Sequence, residues 1–99
     1  MKKTPYTVVV LLQALPGKEE ELRAALIELV APSLKDKGCI NYDLHESLDN
    51  PGKFMFYENW ESKEDHQLHF NQPHVQSLGS RLHELGEGDL NLTFWEQAK

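Results

Sequence analysis

Residues 6–15, YTVVVLLQAL, form an almost unbroken apolar run rich in valine. No alternation separates a wet face from a dry one, so the run reads as a β-strand covered on both sides. It falls well short of the ~20 apolar residues of a membrane span. Two lysines precede it, as in a secretory signal, but Pro16-Gly17 leads into KEEE and not into a small-residue cleavage site. A strand buried on two faces constrains all that follows, because the rest of the chain, or a second copy of it, must supply both covers.

The downstream sequence supplies one cover. From Lys18 onward, Leu22, Ala25, Leu26, Leu29 and Val30 recur at helical spacing, with Glu19, Glu20, Arg23 and Glu28 elsewhere. Pro32 is expected to kink this helix or end its regular part, with Gly38 as terminator. Residues 39–48 alternate, Ile40, Tyr42 and Leu44 against Asn41, Asp43 and His45, which predicts a second strand. Asp49-Asn50-Pro51-Gly52 is a turn signal. Residues 53–61 then form a third strand, with Phe54, Phe56 and Trp60 on one face and Met55 and Tyr57 on the other. Ser62 with Asp65 resembles a capping box that opens a short helix to about Phe70. Asn71-Gln72-Pro73 interrupts it, and Pro73 suits the first position of a further helix through Val75, Leu78, Leu82 and Leu85. Residues 90–97 close the chain as a fourth strand.

The expected fold is α+β: one domain over residues 1–99, in ferredoxin-like β-α-β-β-α-β order, with a four-stranded antiparallel sheet and the second helix broken in two. Helices from one chain cover one face of that sheet. The apolar set left on the other face of strands one and three predicts a face-to-face homodimer. A net charge of −6, from 16 acidic and 10 basic residues, argues against nucleic acid and anionic membrane as partners. The single cysteine, Cys39, cannot form an internal disulfide and reads as a buried inert thiol in a cytoplasmic protein.

Several residues together carry a family resemblance: Pro16-Gly17-Lys18 after the first strand, Gly38-Cys39 and Tyr42 at the second, Glu58-Asn59-Trp60-Glu61-Ser62, and His69 with Pro73-His74. In these the chain resembles the antibiotic biosynthesis monooxygenase superfamily of dimeric α+β barrels, and within it the quinol monooxygenase branch. The resemblance implies a homodimer with a pocket in each subunit between sheet and helices. It implies a cofactor-independent monooxygenase that oxidises a small aromatic substrate, a quinol-like or polycyclic phenol, with O2 and with no metal, flavin or haem. The haem-degrading branch carries an asparagine on its first strand, and residues 6–15 contain none. In the polyketide-oxidising branch an asparagine and an arginine hold the substrate; here Asn59 has the opposite parity to Trp60, and Arg81 on the last helix is the only nearby arginine.

Within that frame the expected catalytic residues are His69 as proton acceptor, Glu58 as its partner, and His74. An unperturbed histidine titrates near ~6.5 and can take and return a phenolic proton. The expected substrate-binding residues are Trp60, Phe54, Phe56, Tyr42 and Arg81, the aromatic side chains forming a wall against a planar ring. The plainer alternative makes Trp60 core, ends Glu58 near solvent, and leaves the histidines to bond the helix break. His66, within the polar run KEDHQ, is expected to be solvated. A metal site built from His66, His69 and His74 is disfavoured, since the chain has no cysteine pair and no H-E-x-x-H spacing. A non-catalytic binding module and an isomerase of a small signal metabolite are the alternative functions.

Overall fold

The computed structural model describes residues 4–99, so the two lysines of the signal-like start lie outside the described residues. The valine-rich run forms β1 (Tyr6–Gln13), followed by α1 (Glu19–Leu34), β2 (Cys39–Glu46), β3 (Lys53–Trp60), α2 (Lys63–Phe70), α3 (Pro73–Leu85) and β4 (Asn91–Trp95). The strands make one antiparallel sheet in the order β2-β3-β1-β4. β1 and β3 are therefore the central pair, which is why these two strands carry apolar residues on both faces. The predicted ferredoxin-like order is present, with the second helix divided into α2 and α3.

Register decides which face meets the helices. Val8 pairs with Glu58, Val10 with Phe56 and Leu12 with Phe54, and this set is buried together with Leu22, Leu26 and Leu29 of α1 and Leu78 and Leu85 of α3. Val9 pairs with Tyr57 and Leu11 with Met55 on the outer face, where no helix lies over them and Tyr57 is exposed. Among the described residues no helix is long and apolar enough to cross a membrane.

One local expectation holds and one is corrected. α1 carries Pro32 in its last turn and stops at Leu34, where the bonding tightens: Lys35 N–H donates to Pro32 O and Asp36 N–H to Ser33 O at 3.1 Å each, ahead of Gly38 at a φ of +78°. Proline so near the end removes little of the helix ladder, and i→i+3 bonds finish the last turn. On β2 the alternation slips. Cys39 pairs with Trp60 and Asn41 with Asn59, so Ile40 is an extra, bulged residue. Cys39, not Ile40, packs against the core beside Tyr42 and Leu44, and Ile40 is left 54% exposed.

Candidate functional site

Between the sheet and the α2–α3 pair lies a cavity of about 170 Å³. Val10, Leu12, Phe56 and Glu58 line it from β1 and β3, Tyr42 from β2, His66, His69 and Phe70 from α2, and Val75 and Leu78 from α3. The start of α2 sets which side chains reach it. Ser62 Oγ accepts the Asp65 N–H at 3.1 Å as an N-cap, and the turn so fixed buries Asp65, His66 and His69. Asp65 in turn rests on Gly38, whose φ of +78° and lack of a side chain are both required, because a Cβ there would overlap the Asp65 carboxylate.

Of the expected site residues, Tyr42, Phe56, Glu58 and His69 line the cavity. Trp60 does not. It is fully buried behind the lining, with its ring 4.6 Å from that of His69, and its Nε1–H donates to Glu58 Oε1 at 2.9 Å. Phe54 sits farther along β3 in the core, beneath the Arg23 guanidinium at 5.8 Å. His74 and Arg81 line a separate surface cleft of about 180 Å³ with Glu28 and Ser77, so neither reaches the cavity. The reason is helical phase: positions 74, 77 and 81 make one stripe of α3, while 75, 78, 79 and 82 make the stripe that faces the cavity.

His66 is the clearest correction. It is 6% exposed, with its ring 5.8 Å from Trp60 and its Nε2 3.9 Å from Glu58 Oε1. The expected pairing of Glu58 with His69 is also replaced. His69, 3% exposed, has its Nδ1 2.8 Å from Asp36 Oδ2, and the same oxygen lies 2.8 Å from His74 Nε2. Asp36 belongs to the loop after α1 and carried no motif that marked it in the sequence.

The electrostatics follow burial. Removal from water pushes the Glu58 carboxyl up from 4.5 to about 7, against the Trp60 hydrogen bond that favours its ionised form. Burial, with neighbouring His69, takes His66 down to about 4. Burial also lowers His69, opposed by the Asp36 carboxylate. Desolvation, reinforced by Glu58, drives the Tyr42 phenol well above its ordinary range, and the same two influences raise the Cys39 thiol to about 11, in keeping with an inert cysteine. Asp36, His69 and His74 offer ligand atoms within 4.8 Å of one another, a set that could hold a cation and that differs from the triple-histidine grouping considered above.

A family profile described as antibiotic biosynthesis monooxygenase matches residues 5–79, which include Asp36, Glu58 and all three histidines of the site region. The chain belongs to the antibiotic biosynthesis monooxygenase family. It is 29% identical over 82 residues to Rv0793 of Mycobacterium tuberculosis, provisionally named a monooxygenase, which covers 83% of this chain and 80% of that protein. The solved structure of Rv0793 superposes with a TM-score of 0.89 over 96% of both chains, at 26% identity. The crystal structure of PA3566 from Pseudomonas aeruginosa gives a TM-score of 0.93 at 27% identity, over 100% of this chain and 99% of that one. The chain spans half the length of an uncharacterised Synechocystis protein, 30% identical over 74 residues, or 75% of this chain. The matched residues supply most of the cavity wall, whereas Leu82, Leu90 and Leu92 of that wall lie beyond them, as does Arg81.

Proposed function

We propose that this member of the antibiotic biosynthesis monooxygenase family oxidises a monocyclic, quinol-like phenol with O2, without an organic or metal cofactor, and that His69 is the proton acceptor. One observation carries the reading: a buried imidazole lines a largely apolar cavity, its Nδ1 engaged by Asp36 and its Nε2 without a protein hydrogen-bond partner among the described residues. Size selects the substrate class. An apolar cavity of roughly 150 Å³ takes up one benzene ring, and the cavity here is about 170 Å³.

The chemistry starts with the phenolic proton. Burial keeps His69 neutral near pH 7, so its free nitrogen can accept that proton, and the Asp36 carboxylate then stabilises the imidazolium. The phenolate transfers one electron to O2, and the cavity retains the phenoxyl–superoxide pair until a carbon–oxygen bond forms. Loss of water from the resulting hydroperoxide leaves a hydroxyquinone, so one quinol and one O2 give one hydroxyquinone and one water. Glu58 lies on the cavity wall with its carboxyl near 7, which supports a role in returning a proton to the departing oxygen. Trp60 holds Glu58, and the phenol of Tyr42, kept protonated by burial, can donate to a substrate oxygen.

We also propose that a second copy covers the outer sheet face of Val9, Leu11, Met55 and Tyr57, which leaves both cavities facing away from the dimer interface. The catalytic proposal is tested with an oxygen electrode and a panel of substituted hydroquinones. Uptake of one O2 per quinol is expected, with no oxygen returned on adding catalase, and His69→Ala should slow it on the order of 100-fold. No protein-dependent uptake across the panel, or an unaltered His69→Ala, would sink it.

A further inference from the structure

The side chains around His69 fall into two groups. Trp60, Tyr42 and His66 surround its ring at centroid distances of 4.6, 5.2 and 5.9 Å and offer it no hydrogen bond among the described residues. Asp36 alone engages a ring nitrogen, and Asp36 is itself fixed from three directions. Its N–H donates to Ser33 O at 3.1 Å, its carbonyl accepts the Cys39 N–H at 3.1 Å, and its Oδ2 is shared between His69 Nδ1 and His74 Nε2 at 2.8 Å each. The carboxylate is 10% exposed, and His74, 22% exposed, closes the outer side where the surface cleft begins.

We infer that Asp36 is a positioning residue for His69, with His74 as its anchor. An ionised aspartate oxygen only accepts, so both imidazole nitrogens that touch it must carry hydrogen. That requirement puts the His69 proton on Nδ1 and leaves the lone pair on Nε2, the nitrogen that has no protein partner. His74, expected from the sequence to be catalytic, here acts one layer back, as a second donor that keeps the Asp36 oxygen from turning away. A metal ion among the same three side chains is the competing arrangement. Ligand atoms bound to one tetrahedral ion at about 2.0–2.2 Å stand roughly 3.3 Å or more apart, and the 2.8 Å separations here are those of charge-assisted hydrogen bonds.

The inference rests on the proposed role of His69 for its catalytic meaning, but its test does not require turnover. In protein labelled with ¹⁵N-histidine, long-range ¹H–¹⁵N spectra at neutral pH should show His69 with hydrogen on Nδ1 and none on Nε2. Asp36→Asn, which keeps an oxygen acceptor without the charge, should retain that tautomer; Asp36→Ala should lose it and show hydrogen on Nε2. In quinol oxidation Asp36→Ala should lower kcat on the order of 100-fold with KM little changed, and Asp36→Asn should fall between it and wild type. If Asp36→Ala does not fold, His74→Leu replaces it and should broaden or mix the His69 tautomers. Wild-type His69 protonated on Nε2, a tautomer indifferent to both substitutions, or one tightly held equivalent of zinc per chain in the purified protein would each overturn the assignment. The expected tautomers with no oxygen uptake would uphold the positioning role and refute the monooxygenase reading instead.

Discussion

Replacing Glu58 with glutamine should stabilise this protein, and by an amount that depends on pH. Glu58 is 2% exposed, and burial lifts its carboxyl from 4.5 to about 7. Between those values the folded protein binds a proton that the unfolded chain has released. The unfolding free energy therefore falls as pH rises from 4.5 through about 7 and is level above that. A displacement of this size corresponds to roughly 3 kcal/mol, a substantial part of the ~5–15 kcal/mol that holds a typical domain folded. Glutamine has the shape of the protonated acid and keeps an oxygen for the Trp60 N–H, so it carries no such penalty.

Urea unfolding at one fixed protein concentration, at pH 4.5 and at pH 8.5, measures the effect. The variant should lead by less than about 0.5 kcal/mol at pH 4.5 and by roughly 3 kcal/mol at pH 8.5. His66 acts in the opposite sense. Its folded value is lowered from 6.5 to about 4, so the stability of its neutral ring is present above 6.5 and lost as pH falls through that interval. The wild-type profile blends the two groups, but both proteins retain His66, and their difference isolates Glu58. A difference that stays flat from pH 4.5 to 8.5 would refute the claim that the fold holds this carboxylate against its preference for water.

Gly38→Ala should lower stability by more than about 2 kcal/mol, since the left-handed backbone alone costs an L-residue about 1–2 kcal/mol and the new methyl overlaps Asp65; differential scanning calorimetry should show a drop of roughly 8 °C or more. Cys39, with its thiol raised to about 11, should react with a disulfide reagent at pH 8 about two orders of magnitude more slowly than a free thiol, and should reach the free rate once unfolded in guanidinium. Met55→Asp should place a charge on the outer sheet face and yield monomers or aggregates, whereas Glu64→Ala should leave assembly unchanged; sedimentation equilibrium of the wild type as a micromolar monomer would remove the dimer.

The fold was largely legible because its central feature is a composition effect. Two strands apolar on both faces belong in the middle of a sheet, and β1 and β3 are the middle. Turns and caps were legible for the same local reason: Ser62 and Pro73 act through their own backbone neighbourhood. What failed was the local register of one strand against its partner. The Ile40 bulge exists only relative to β3, and nothing within residues 39–48 announces that one residue goes uncounted.

The site was legible in part, and its gaps have separable causes. His74 and Arg81 were misplaced although the information was present: Val75, Leu78 and Leu82 define the inward stripe of α3, and positions 74, 77 and 81 fall beside it. His66 was set aside because its sequence neighbours are polar. Yet it stands three residues before His69, and on a helix that spacing puts both rings over the same wall, 5.9 Å apart. Asp36 is a different case. It reaches His69 across 33 positions of sequence, from a loop whose course depends on α1 running past Pro32 and closing in a tight turn. The expected stop at Gly38 left Asp36 at the helix end, and nothing in its neighbourhood indicated that its side chain turns toward α2. The residue least visible in the sequence is therefore the one whose substitution most directly tests how the site works.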